Sequence, residues 1–122
     1  MAQRADLLRE LLAANLPLED VGRQLASFGW DSEELVELRA DHVVRVLLRF
    51  VRGDLRAAEV RTWADLVELR DDIGFEPTHR EALKAAIFQL ATPEAEGPLA
   101  EARARELIAA LTSSDRDAAT GQ

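Results

Sequence analysis

Apolar residues recur at three- and four-residue spacing along almost the whole chain, and no stretch alternates apolar and polar residues between turn signals as a half-buried strand would. Strong helix formers (Ala, Leu, Glu and Arg) dominate the composition. The spacing predicts a first helix over Ala2–Ala14, with Leu8, Leu11 and Leu12 turned inward, and a break at Asn15-Leu16-Pro17. A second helix is predicted over Leu18–Ser27, closed by Phe28-Gly29-Trp30. Asp31 with Glu34 three residues later has the spacing of a capping box and predicts a short third helix through Leu38.

From Asp41 to Arg52 apolar residues fill nearly the whole perimeter, leaving His42, Arg45, Arg49 and Arg52 as a narrow polar stripe, which marks the central helix. Gly53 suits the left-handed position just past its end. A helix from Ala57 to Asp72 then carries Val60, Trp63, Ala64 and Val67 as a buried seam and stops near Ile73-Gly74. Glu76-Pro77 bars continuation, and Thr78 with Glu81 predicts the start of another helix, with Leu83, Ile87, Phe88 and Leu90 inward. Thr92-Pro93 ends it, and Pro98 opens a last helix with Ala104, Leu107, Ile108 and Leu111 on one face. The resulting expectation is an all-α fold, a single compact bundle of five to seven short helices over residues 1–112, followed by a flexible polar tail over 113–122.

A chain of 122 residues fits one ordinary domain. Its longest uncharged apolar runs are a few residues, against the roughly 20 needed to cross a bilayer, so no membrane partner is expected. The lack of cysteine removes disulfides, thiolate metal sites and thiol nucleophiles, and no basic start leads into an apolar run. A cytoplasmic protein is the expectation. Fifteen Lys and Arg against 23 Asp and Glu give a formal charge of −8, a sign that opposes a nucleic-acid backbone.

Few residues invite chemistry. Ser27, Ser32, Thr62, Thr78 and Thr92 read as caps, loops or helix surface, no Gly-x-Ser-x-Gly elbow occurs, and the six glycines stand singly rather than in a phosphate cradle. Glu76-Pro77-Thr78-His79 has the Glu-x-x-His spacing of di-iron bundles, but Pro77 sets it across a helix start, so His79 reads as an exposed first-turn residue. His42 reads as the surface end of the central helix. Trp63 belongs to the core by its seam, and Trp30 is expected to plug the bundle. Arg70 projects toward the Trp63 side, where its guanidinium is expected to fork onto Glu59 or Glu76. No catalytic residue, metal ligand or cofactor is expected.

The carboxylates carry more information. On a continuous helix Arg61, Asp65, Glu68 and Asp72 fall at i, i+4, i+7 and i+11, one above another, with Asp71 and Glu76 at the lower end of the ridge. A second acidic stretch comprises Asp31, Glu33, Glu34, Glu37 and Asp41, answered in part by Arg45, Arg49 and Arg52. Such a ridge is either a solvated helix face or a docking surface for a basic partner. The candidate binding residues are therefore Asp65, Glu68, Asp71, Asp72 and Glu76. Two alternatives stand beside a binding module: a helical domain acting through homo-oligomerisation, and a divalent-metal-dependent hydrolase built on these acids and His79.

Gly53-Asp54-Leu55, Glu59-Val60, Trp63-Ala64, Glu68 and Arg70-Asp71-Asp72-Ile73 with Phe75-Glu76 together resemble the signature of a family of small all-helical, largely uncharacterised bacterial proteins associated with toxin immunity. The resemblance covers Val43 to Leu111; Arg56 stands where a capping Ser or Thr is expected, and Asp65 where Asn is. It implies a stand-alone binding protein without cofactor; the acidic balance and the ridge make the expected partner a basic protein, such as a cognate toxin.

Overall fold

The central helix forms where the apolar perimeter is most nearly closed. In the computed structural model, which describes residues 4–15, 17–26, 34–68, 70, 72–93 and 99–120, with side chains as far as residue 112, it spans Ala40–Val51. Two helices precede it, α1 (Arg4–Leu12) and α2 (Leu18–Ala26), followed by a short strand β1 (Val36–Leu38); the central helix is α3. After it come α4 (Ala57–Glu68), a strand β2 (Ile73–Phe75), a 3-10 turn Pro77–His79, α5 (Arg80–Ala91) and α6 (Glu101–Thr120). The six described helices make an all-α bundle, as the periodicity requires. Among the described residues no helix is long and apolar enough to cross a membrane.

The core is one continuous cluster drawn from every helix. Leu8 and Leu11 of α1, Leu25 of α2, Val43 and Leu47 of α3, Trp63 of α4, Leu83 and Ile87 of α5 and Leu111 of α6 are all buried in it. The α4 helix lies along α5, α3 along α6, and α1 along α2. Phe88 departs from its expected inward place: it is 49% exposed on α5 while Leu83, Ile87 and Leu90 are buried. The last helix runs through Thr120.

The chain between α2 and α3 differs from the predicted third helix. Val36, Glu37 and Leu38 pair in parallel with Ile73, Gly74 and Phe75, forming a two-stranded sheet inserted in the bundle. This pairing also cuts short the helix expected to reach Asp72. Once residues 73–75 are extended to meet β1, the preceding chain must leave helical geometry, and α4 ends at Glu68. Phe28-Gly29-Trp30 and the proposed cap Asp31 lie outside the described residues.

The helix ends are held by contacts that bridge elements. Asn15 N–H bonds Glu10 C=O and Ala14 takes φ +55°, the left-handed ending of α1, while Arg49 Nη1 of α3 donates to the carbonyls of Ala13 (3.0 Å) and Ala14 (3.2 Å). Arg49 therefore serves the C-terminal end of α1 rather than an acidic helix face. Gly53, at φ +89°, closes α3 in the same way, with Asp54 N–H on Arg49 C=O. At the start of α4, Arg56 supplies no capping hydroxyl. Glu59 still makes its half of the box, accepting the Arg56 N–H at 2.8 Å.

Candidate functional site

Asp72 has no exposed surface, which removes it from the ridge assigned to it in the sequence. Its Oδ1 accepts Arg70 Nε at 2.9 Å, and its Oδ2 accepts both Arg70 Nη2 at 2.9 Å and Arg4 Nε at 2.8 Å. Arg70 is buried and forks as expected, but onto Asp72 rather than Glu59 or Glu76. The fork is local, two residues apart, whereas Arg4 arrives from the first turn of α1. Burial pushes the Asp72 carboxyl upward, but the hydrogen bonds and charges of Arg70 and Arg4 outweigh it and hold the pKa below the usual carboxylate value. A carboxylate that accepts three hydrogen bonds from two guanidinium groups is a poor proton acceptor. Its chemistry is structural.

Glu76 is likewise held by the fold. Its Oε2 accepts the backbone N–H of Ala40 at 2.7 Å, closing the first turn of α3 from 36 residues away and placing a negative charge at the positive end of that helix. His79 Nδ1 lies 3.1 Å from the same oxygen. His79 is 6% exposed, not the exposed first-turn residue expected, because the chain makes the 3-10 turn Pro77–His79 before α5 begins at Arg80 and that turn carries the ring inward. His42 completes the end of α3: Arg39 N–H donates to its Nδ1 at 2.9 Å. Burial lowers the His42 pKa, opposed by Asp41 and Glu76 and assisted by Arg39 and Arg45. The hydrogen bond and charge of Arg39 lower the Asp41 pKa against the opposing effect of burial.

A cavity of about 310 Å³ adjoins this helix end, walled by Arg39, Asp41, Val44, Glu76, His79 and Leu111. Its hydroxyl, on Thr112, donates to Ile108 C=O at 2.9 Å, which leaves it turned back onto its own helix.

The five acids read as one ridge thus separate. Asp65 stays half-exposed on α4, 3.8 Å from Arg61, and Glu68 is exposed at the end of that helix. Asp72 and Glu76 are held by the fold, and Asp71 lies outside the described residues. Nor do the acids converge with His79 on a cation. Among the described residues no group of three or more His, Asp or Glu is arranged to hold a metal ion. Of the second acidic stretch, Asp31 and Glu33 lie outside the description and Glu34 and Glu37 are exposed. Asp41 pairs with Arg39 at 3.0 Å and with Arg45 at 3.5 Å.

Sequence reasoning missed Arg4 and the capping use of Glu76. A first-turn arginine carries no local sign that its carboxylate lies elsewhere in the chain, while Glu-Pro before a helix signals a boundary and says nothing of a second helix to be capped. No protein-family model, no curated protein and no solved structure matches the chain.

Proposed function

We propose that this chain is an acidic protein-binding module that masks a basic surface of another protein, as the immunity partner of a bacterial toxin does. The distribution of charge is the observation that carries this reading. Two of the fifteen Lys and Arg side chains, Arg4 and Arg70, are turned onto the buried Asp72. Surface arginines are neutralised locally: Arg9 by Asp6, Arg23 by Asp20, Arg45 by Asp41 and Arg105 by Glu101. Glu34, Glu37, Glu68 and Glu81 stand exposed beyond these pairs. The outward field is negative, which speeds encounter with a basic partner and selects against anionic ones. A nuclease-type toxin has the positive cleft that such a surface fits.

The binding face within this reading is the exposed side of α4, with Asp65 and Glu68. The test uses the full chain as bait and the product of the adjacent reading frame as candidate partner. A basic protein should be retained, be released by raised salt, and lose affinity when Asp65→Asn and Glu68→Gln are combined. Retention that is indifferent to salt and to both substitutions overturns the reading. Asp72 and Glu76 must be left intact, because changing them alters the fold and not only the surface.

The half-exposed Phe88 favours the second reading, self-association. Sedimentation that shifts with the protein's own concentration, and is abolished by Phe88→Ser, would select it over a heterologous partner.

A further inference from the structure

We infer that the cleft between the start of α4, the end of α5 and the start of α6 binds a small uncharged molecule, an apolar body carrying one carbonyl oxygen. The cleft has a volume of about 240 Å³. Its walls are mostly apolar: Val60 and Leu90 are buried, and Leu99 and Leu107 flank them half-exposed. Arg61 from α4, Gln89 from α5 and Arg103 from α6 complete the wall. The residues that form it are not those assigned to a protein partner.

The charges at this wall are already answered within the protein. Arg61 lies 3.8 Å from Asp65 and Arg103 lies 3.6 Å from Glu106, each an acid of its own helix, and Arg103 Nη1 also donates to Gln89 Oε1 at 2.9 Å. An added anion would have to compete with these acids in a chain of formal charge −8, and an added cation would meet the two guanidinium groups. A neutral ligand meets neither penalty. The Gln89 amide then selects the neutral group. A guanidinium only donates, so the carboxamide oxygen must be the atom that faces Arg103, and Nε2 is turned the other way with its two N–H donors. Among the described residues those donors make no hydrogen bond. A donor in an apolar wall is best met by an acceptor that brings no charge with it, which a carbonyl oxygen supplies. An apolar cavity of roughly 150 Å³ holds benzene and sites for drug-sized ligands begin at roughly 300 Å³, so the cleft takes a body of about one ring with a short substituent.

The probes are acetophenone, ethylbenzene and benzoate, which share a ring and carry respectively a carbonyl, no acceptor and a charged carboxylate. Titrated into the full chain and followed by ¹H–¹⁵N chemical shifts, acetophenone should give saturable shifts centred on Val60, Leu90 and Leu107. Benzoate should bind about tenfold more weakly than acetophenone, because its charge would be desolvated without a counter-ion to spare. Gln89→Leu keeps the volume and removes the donor; it should weaken acetophenone about fivefold, the worth of one ordinary hydrogen bond, and should not weaken ethylbenzene. Benzoate binding as tightly as acetophenone, equal losses for acetophenone and ethylbenzene in Gln89→Leu, shifts centred elsewhere, or no saturation would each overturn the assignment.

Discussion

Arg4 Nε stands 2.8 Å from Asp72 Oδ2, joining residues 68 positions apart through a carboxylate with no exposed surface. With the Arg70 fork on the same group, this contact fastens the first turn of α1 to the chain leading into β2. The same helix is held at its other end by Trp63 Nε1 on Leu11 C=O at 2.7 Å and by Arg49 on the carbonyls of Ala13 and Ala14. Apolar packing of Leu7, Leu8, Leu11 and Leu12 supplies the non-directional attraction, and the polar contacts at both ends fix the position.

Removing the charge of Asp72 should be among the most damaging single changes in the protein. Asp72→Asn leaves Arg70 buried without its counter-ion, a loss of about 3 to 5 kcal/mol by the usual cost of breaking a buried pair. Arg4→Gln removes one donor of three from a side chain that reaches solvent, and should cost about 1 to 2 kcal/mol. Urea unfolding of both variants and of the double variant measures these values and their coupling. A loss for Asp72→Asn no larger than that for Arg4→Gln would mean that the Arg70 fork contributes nothing.

The same carboxylate gives stability a defined pH dependence. Because its folded pKa lies below the unfolded value, its contribution is complete above about pH 4 and is lost as pH falls through the folded pKa. Acid denaturation should therefore begin below about pH 4 and flatten in Asp72→Asn, read as the slope of unfolding free energy against pH.

The parts of this arrangement that a sequence can reveal are those governed by residues a few positions apart. The polar stripe of His42, Arg45, Arg49 and Arg52 located α3 within one residue at either end, and Val60, Trp63, Ala64 and Val67 are all buried as their seam requires. The end of α4 was not legible, because what stops it is the pairing of Ile73 with Val36, a partner 37 positions back. Strands of three residues are also too short for alternation to declare them. Asp72 then inherited a place on a surface ridge from a helix that does not reach it. Glu76 was read correctly as a boundary and incorrectly as free charge, since its hydrogen-bond partner belongs to a different helix.

Trp63 offers a separation of packing from hydrogen bonding. The ring is fully buried, so Trp63→Ala should cost about 3 to 5 kcal/mol by the large-to-small range. Trp63→Phe keeps most of the apolar volume but removes the donor to Leu11 C=O, and should cost about 1 to 3 kcal/mol. Amide exchange should speed up in α1 more than in α5 for the Phe variant. Uniform acceleration across all helices would show that the indole N–H has no particular hold on α1.

His42 supplies the last prediction, because its Nδ1 must carry a lone pair to accept the Arg39 N–H. Protonation removes that lone pair, and the half-buried ring sits near Arg39 and Arg45, which oppose a further positive charge, while Asp41 and Glu76 only partly compensate. The folded pKa is therefore lower than the unfolded value of about 6.5. A histidine depressed in this way contributes fully above about pH 6.5 and loses that contribution as pH falls through the folded pKa, since the unfolded chain binds the proton more tightly. Ring resonances of His42 should titrate below pH 6.5, and the N–H signal of Arg39 should shift in step. His42→Gln keeps a side-chain acceptor of the kind that reaches back to the N-cap N–H in a capping box but cannot titrate in this range, so it should preserve α3 and remove this part of the pH dependence. A His42 titration at or above the unfolded value, with Arg39 N–H unmoved, would show that the ring does not close this helix end.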